Sequence, residues 1–93
     1  DTRESPSLDL IELLEAMGAR VDYADPHVPR LEFAGRKRKS VTITPAALRR
    51  YDCAVVATSH AEFDFGEILK NARSIVDTRN ALKGKKSPKI VRL

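Results

Sequence analysis

The sequence predicts an α/β fold with a mostly parallel, doubly wound sheet, and three observations predict it. Cys53-Ala54-Val55-Val56-Ala57-Thr58 is a continuous small or apolar run without polar alternation, as expected of a strand buried on both faces. Capped helix starts at Ser5-Pro6, Thr44-Pro45 and Asp64 alternate along the chain with short extended runs. Finally, 93 residues that are 42% apolar and 32% charged suit one globular domain, residues 1–93, with enough Leu, Ile and Val to offset the entropy of ordering.

The first helix begins at Ser5, a strong N-cap, with Pro6 in the first turn where no amide donor is needed. Leu10, Leu13, Leu14 and Met17 follow helical spacing and predict its buried face, and Gly18 supplies a left-handed stop. Residues 20–24 predict a short strand, broken by Asp25-Pro26 and Pro29. From 31 to 39 the pattern is weak and basic, which predicts an exposed connection leading to a brief extended Ser40-Val41-Thr42-Ile43. Thr44 and Pro45 then open a second short helix.

After the apolar strand at 53–58, Asp64 is placed to cap a third helix, with Glu67 reaching back and Phe63 stapled on Ile68, ending near Asn71. Ser74-Ile75-Val76-Asp77 predicts a further strand. A last strand is expected at 89–93, after the polar turn at 84–88.

Composition narrows the function classes. A single cysteine excludes an internal disulfide framework, no charged start precedes an apolar secretory run, and no apolar stretch approaches the roughly 20 residues of a membrane span. The expectation is a cytoplasmic protein that engages no membrane. The net charge of +4 draws on Arg36-Lys37-Arg38-Lys39 and on Lys83, Lys85 and Lys86. These clusters read as solvated basic loops, as a steering field for an anionic small ligand, or as a nucleic-acid surface; the lack of interleaved aromatics argues against nucleic acid.

In a doubly wound sheet, ligands gather at the carboxyl ends of the strands, which points to Asp25, to Thr58 through His60, and to Asp77 through Asn80. Asp25 stands where a dinucleotide fold places a ribose-binding acid, yet no G-x-G-x-x-G occurs and Pro26 favours a turn role. Cys53 is expected to be a buried packing residue rather than a nucleophile. His27 and His60 lack ligand-like spacing for zinc. Arg79 offers a planar, permanently charged fork to phosphate or sugar hydroxyls, the alternative being a surface Arg paired with Asp77 or a nearby carboxylate. Arg3 lies just ahead of a helix N-terminus, where phosphate is also favoured.

Four separated motifs, Asp1-Thr2-Arg3-Glu4-Ser5-Pro6, Asp25-Pro26-His27-Val28-Pro29, Tyr51-Asp52-Cys53-Ala54-Val55-Val56-Ala57-Thr58 and Asp77-Thr78-Arg79-Asn80-Ala81, resemble the C-terminal UDP-sugar-binding domain of the UDP-glucose/GDP-mannose dehydrogenases in order and spacing. The resemblance covers nearly the whole chain. It implies a Rossmann-like three-layer domain and an NAD-dependent two-step oxidation of a nucleotide sugar's C6 alcohol to a carboxylate, through a thiohemiacetal and thioester on a cysteine. Cys53 does not match that cysteine's motif, so no catalytic residue is expected in this chain. The resemblance implies that Arg79 contacts the UDP-sugar substrate and that Arg3 reaches NAD held mainly by an N-terminal domain. It also implies contacts with the N-terminal and central domains, and a role in polysaccharide synthesis.

The Asp-Thr-Arg-Asn form is similar to the branch acting on UDP-N-acetylated hexosamines, with UDP-glucose as the alternative sugar. The family's aromatic-Lys pair and first sheet strand have no counterpart in the sequence, from which association with another copy or marginal stability is expected. The rival readings are a non-enzymatic Rossmann-like ligand sensor or assembly module and a small basic nucleic-acid-binding protein.

Overall fold

Thr44 and Asp64 cap helices, and the branched or apolar residues at 54–56 and 75–76 lie in strands, whereas a run of four cations, 36–39, is also a strand. The computed structural model describes residues 6–33, 35–58 and 63–92. The expected cap Ser5 and the last residue of the final strand, Leu93, lie outside them. The chain forms two compact units, Asp1–Thr42 and Ile43–Leu93.

In the first unit, helix α1 (Pro6–Ala16) ends in a left-handed turn: Gly18 has φ 95°, its N–H donates to Glu15 O, and the Ala19 N–H donates to Leu14 O. Its buried residues are Leu8 and Ile11, whereas Leu13 and Met17 are 58% and 76% exposed. This corrects the buried face expected from sequence. At about 100° per residue, Leu8, Ile11 and Glu15 share one narrow arc and Met17 falls roughly opposite.

The inner face therefore ends on a carboxylate, and Glu15 has a partner. Residues 31–39 do not form the expected loose connection; they build an antiparallel hairpin, β1 (Arg30–Phe33) with β2 (Arg36–Lys39), turned at Gly35 with φ 75°. Arg38 is buried, with Nη1 and Nη2 on the two oxygens of Glu15 at 2.9 and 2.8 Å and its guanidinium carbon 5.4 Å from the Phe33 ring centre. The Arg38 hydrogen bond holds the Glu15 carboxyl below its ordinary value. Residues 20–24 form no strand. They are tied to the hairpin's end by Val41 N–H to Tyr23 O at 2.8 Å and Asp25 N–H to Ser40 Oγ at 2.8 Å.

The second unit carries the parallel sheet, in the order β3 (Ala54–Val56), β4 (Ile75–Asp77), β5 (Ile90–Arg92). Helix α2 (Pro45–Arg50) opens on Thr44, whose side chain accepts the Ala47 N–H, and α3 (Phe65–Asn71) opens on Asp64, which accepts the Glu67 N–H. Both caps are those expected from sequence. Glu67 turns the other way from the expected box and accepts from Asn71 Nδ2 at 3.0 Å.

The period-2 alternation of each strand sorts the sheet into two faces. On one, Val56 and Ile75 join Leu48, Ile68, Ala72 and Leu82 in the core, with Ala54, Phe63, Phe65 and Ile90 packed at its margin. On the other, Val55, Val76 and Val91 stand in one register row, and Val55 and Val91 are exposed. The observed class is thus the α/β class read from sequence, with a three-stranded parallel sheet and helices.

Candidate functional site at the carboxyl end of the parallel sheet

Parallel strands leave their carboxyl ends together at one edge, and here β3 and β4 bring Val56, Ala57 and Asp77 to that edge. The chain does not continue β4 beyond Asp77, because the Asp77 side chain takes up the N–H groups that follow. Its Oδ1 accepts from Arg79 N–H at 3.0 Å and Ala81 N–H at 3.1 Å, and its Oδ2 accepts from Leu82 N–H at 2.9 Å. Asp77 is 1% exposed, so this is a carboxylate buried inside its own turn.

Burial raises the Asp77 carboxyl pKa, but the N–H groups of Leu82, Arg79 and Ala81, aided by the Arg92 charge, outweigh burial and hold the group below its ordinary value. Arg92 is the register partner of Asp77 on β5, and its Nη2 donates to the carbonyls of Leu82 and Lys85. On the other side, Val56 O accepts both the N–H of Thr78, at 3.2 Å, and its hydroxyl, at 2.6 Å. Between these anchors Asn80 adopts φ 57°, a left-handed conformation that Asn tolerates better than most residues.

Arg79 is exposed at the crest of this turn. Its Nε donates to Ala57 O at 3.0 Å, and among the described residues no carboxylate pairs with it. The alternative of an Arg79–Asp77 ion pair is thereby corrected: Asp77 is occupied by backbone N–H groups, and a neutral carbonyl steadies Arg79. The rest of the β4–β5 connection adds Lys83, Lys85, Lys86 and Lys89 and no acidic residue. Lys89 is engaged with the last carbonyls of α3, Leu69 O at 3.0 Å and Lys70 O at 3.2 Å, where a cation suits the helix dipole. Arg79 with Lys83, Lys85 and Lys86 leaves an exposed cationic loop suited to phosphate-bearing anions.

The other sequence candidates do not join it. Cys53 is exposed, not buried as expected, because β3 starts one residue later at Ala54; it stands at the amino end of the strand, opposite the Arg79 edge. Asp25 makes the expected turn, its Oδ1 accepting the His27 N–H at 2.8 Å and its carbonyl accepting the Val28 N–H. Arg3, Ser59 and His60 lie outside the described residues. Among the described residues no three His, Cys, Asp or Glu side chains gather as metal ligands, and no helix is long and apolar enough to cross a membrane. A cleft of about 220 Å³ lined by Ile43, Thr44, Leu48, Phe63 and Asp64, among others, does not include Arg79.

Sequence reasoning placed Arg79 just beyond a strand end, where the structure has it, but missed what Asp77 does. The available signal was an Asp at a strand end followed by short polar residues, a pattern in which the side chain bonds the backbone two residues on.

The sequence profile of the UDP-glucose/GDP-mannose dehydrogenase family, UDP binding domain, matches residues 1–84. The chain is 36% identical over 91 residues to a UDP-N-acetyl-D-mannosamine dehydrogenase of Methanococcus maripaludis (strain C7 / ATCC BAA-1331), covering 88% of this chain and 20% of the relative. With the enzyme of the same name from Methanococcus vannielii it shares 33% over 90 residues, again 88% of this chain and 20% of the relative. The chain thus spans about one fifth of the length of these curated relatives. No solved structure matches.

Proposed function

We propose, from the premise that this chain belongs to the UDP-glucose/GDP-mannose dehydrogenase family as its UDP-binding domain, that it supplies the nucleotide-sugar side of a UDP-sugar 6-dehydrogenase. The substrate class is a UDP-N-acetylhexosamine, for which the relatives' name, UDP-N-acetyl-D-mannosamine dehydrogenase, speaks. The whole enzyme oxidises the C6 alcohol to a carboxylate in the cytoplasm, works as a homo-oligomer, and serves polysaccharide synthesis. NAD, when bound, takes up hydride. This chain has no glycine-rich dinucleotide turn, and NAD is held mainly by other domains, with Arg3 contributing to its binding.

The observation that carries the reading is Arg79: an exposed guanidinium with no carboxylate partner among the described residues, at the carboxyl edge of a parallel sheet, on a loop rich in lysine. Its fixed charge and planar donors suit the diphosphate or the sugar hydroxyls of the substrate. The chain's own part is to bind and orient.

Calorimetry on the intact protein tests this. Arg79→Ala weakens UDP binding by about 10- to 100-fold, the size of one or two charge-assisted hydrogen bonds, and leaves NAD affinity unchanged. Arg3→Ala does the reverse. Retention of both affinities in both variants refutes the assignment.

A further inference from the structure

We propose that Asp77 is a positioning residue for Arg79, fixing the backbone from which the guanidinium reaches the nucleotide; the inference rests on the reading of Arg79 just given. Asp77 itself does not touch ligand. It is buried, and both its oxygens are engaged by backbone N–H groups of its own turn.

Arg79 needs such a device. Its side chain is long and exposed, and among the described residues it is tethered at Nε, by Ala57 O. Its terminal nitrogens can only be pre-aimed if the backbone is fixed. The residue after it, Asn80, is left-handed, a conformation that Asn adopts more readily than most residues but that the turn has to hold. Asp77 Oδ1 holds the N–H on each side of Asn80, at Arg79 and at Ala81, and so encloses it. Thr78 fixes the entry to the turn on Val56 O, and Arg92 fixes the exit through the Leu82 and Lys85 carbonyls. The arrangement spends a buried carboxylate on backbone geometry immediately around the one exposed Arg of the turn.

A double-mutant cycle on the intact protein, with UDP as probe and NAD as control, separates positioning from general stabilisation. Asp77→Asn keeps the shape but replaces one acceptor oxygen by a donor. It weakens UDP binding about tenfold, through lost preorganisation, with NAD affinity unchanged. In the Arg79→Ala background the same substitution brings no further loss, because the residue it acts through is gone.

Unchanged UDP affinity in Asp77→Asn, or an equal loss in both backgrounds, overturns the inference while leaving Arg79 as a ligand residue. An Arg79→Ala variant that binds UDP like the wild type sinks the underlying reading and this inference with it, and is seen without any change at Asp77. Should Asp77→Asn fail to fold, Arg92→Gln loosens the turn exit from outside. It is expected to weaken UDP binding several-fold in the wild type and not at all beside Arg79→Ala, and additive losses refute positioning in that variant too.

Discussion

Acid should undo the turn at Asp77 before it undoes the apolar core. The three N–H bonds to this carboxylate are each of a class that contributes about 1.5–3 kcal/mol, against a burial cost of several kcal/mol for the ion. The N–H groups win, since the carboxyl is held below its ordinary value. A group whose folded pKa is depressed stabilises fully above its unfolded pKa, near 3.9. That stabilisation is lost as pH falls through the folded value, at no more than about 1.4 kcal/mol per pH unit.

Urea unfolding of the wild type and of Asp77→Asn over a pH series isolates the term. Other carboxylates, including Glu15 with its own depressed pKa, are common to both proteins and cancel. The stability gap is expected to be widest near neutral pH and to narrow as pH falls below about 4. A gap that stays constant, or widens with acid, refutes the account of the buried carboxylate.

The two faces of the sheet should respond unequally to truncation: Ile75→Ala, at a fully buried position, costs about 3–4 kcal/mol in chemical denaturation, and Val91→Ala, 53% exposed, less than about 1 kcal/mol. Equal losses would mean that the faces are misassigned. Gly35→Ala meets no atom within 4 Å yet must hold φ near 75°, so a loss of roughly 1–2 kcal/mol in unfolding free energy is expected from conformation alone, and a neutral substitution would show that the hairpin turn adapts.

What could be read in advance was what local chemistry decides. Thr44 with Pro45, and Asp64 with the Glu67 N–H, mark helix starts because the cap and its partner lie three residues apart. The apolar run of β3 and the Ile75-Val76 pair of β4 were legible for the same reason. The hairpin was not. Four consecutive cations look solvated until Glu15, 23 residues before Arg38, is folded against them, and a pairing at that distance leaves no local signature. The face of α1 was misjudged because Leu13 and Met17 are apolar yet lie opposite Leu8 and Ile11, while the true inner arc ends on a charge. Cys53 was misjudged by one residue, since the apolar run starts before the strand does. Arg79 emerged through its motif, whereas the part played by Asp77 needed coordinates: N–H groups two, four and five residues on converge on one side chain only once the turn is formed.

That convergence also dictates what the gene can tolerate. Because one carboxylate measures off residues 79, 81 and 82, a single codon inserted or deleted between 78 and 81 would deprive it of two or three donors at once and displace the left-handed residue. The polar stretch 84–88 lies past the last of those donors and supplies none of them, its tie to the turn being the Lys85 carbonyl that Arg92 holds. Variation in length within this connection is therefore expected to collect after Leu82, leaving the spacing from Asp77 to Arg79 unchanged.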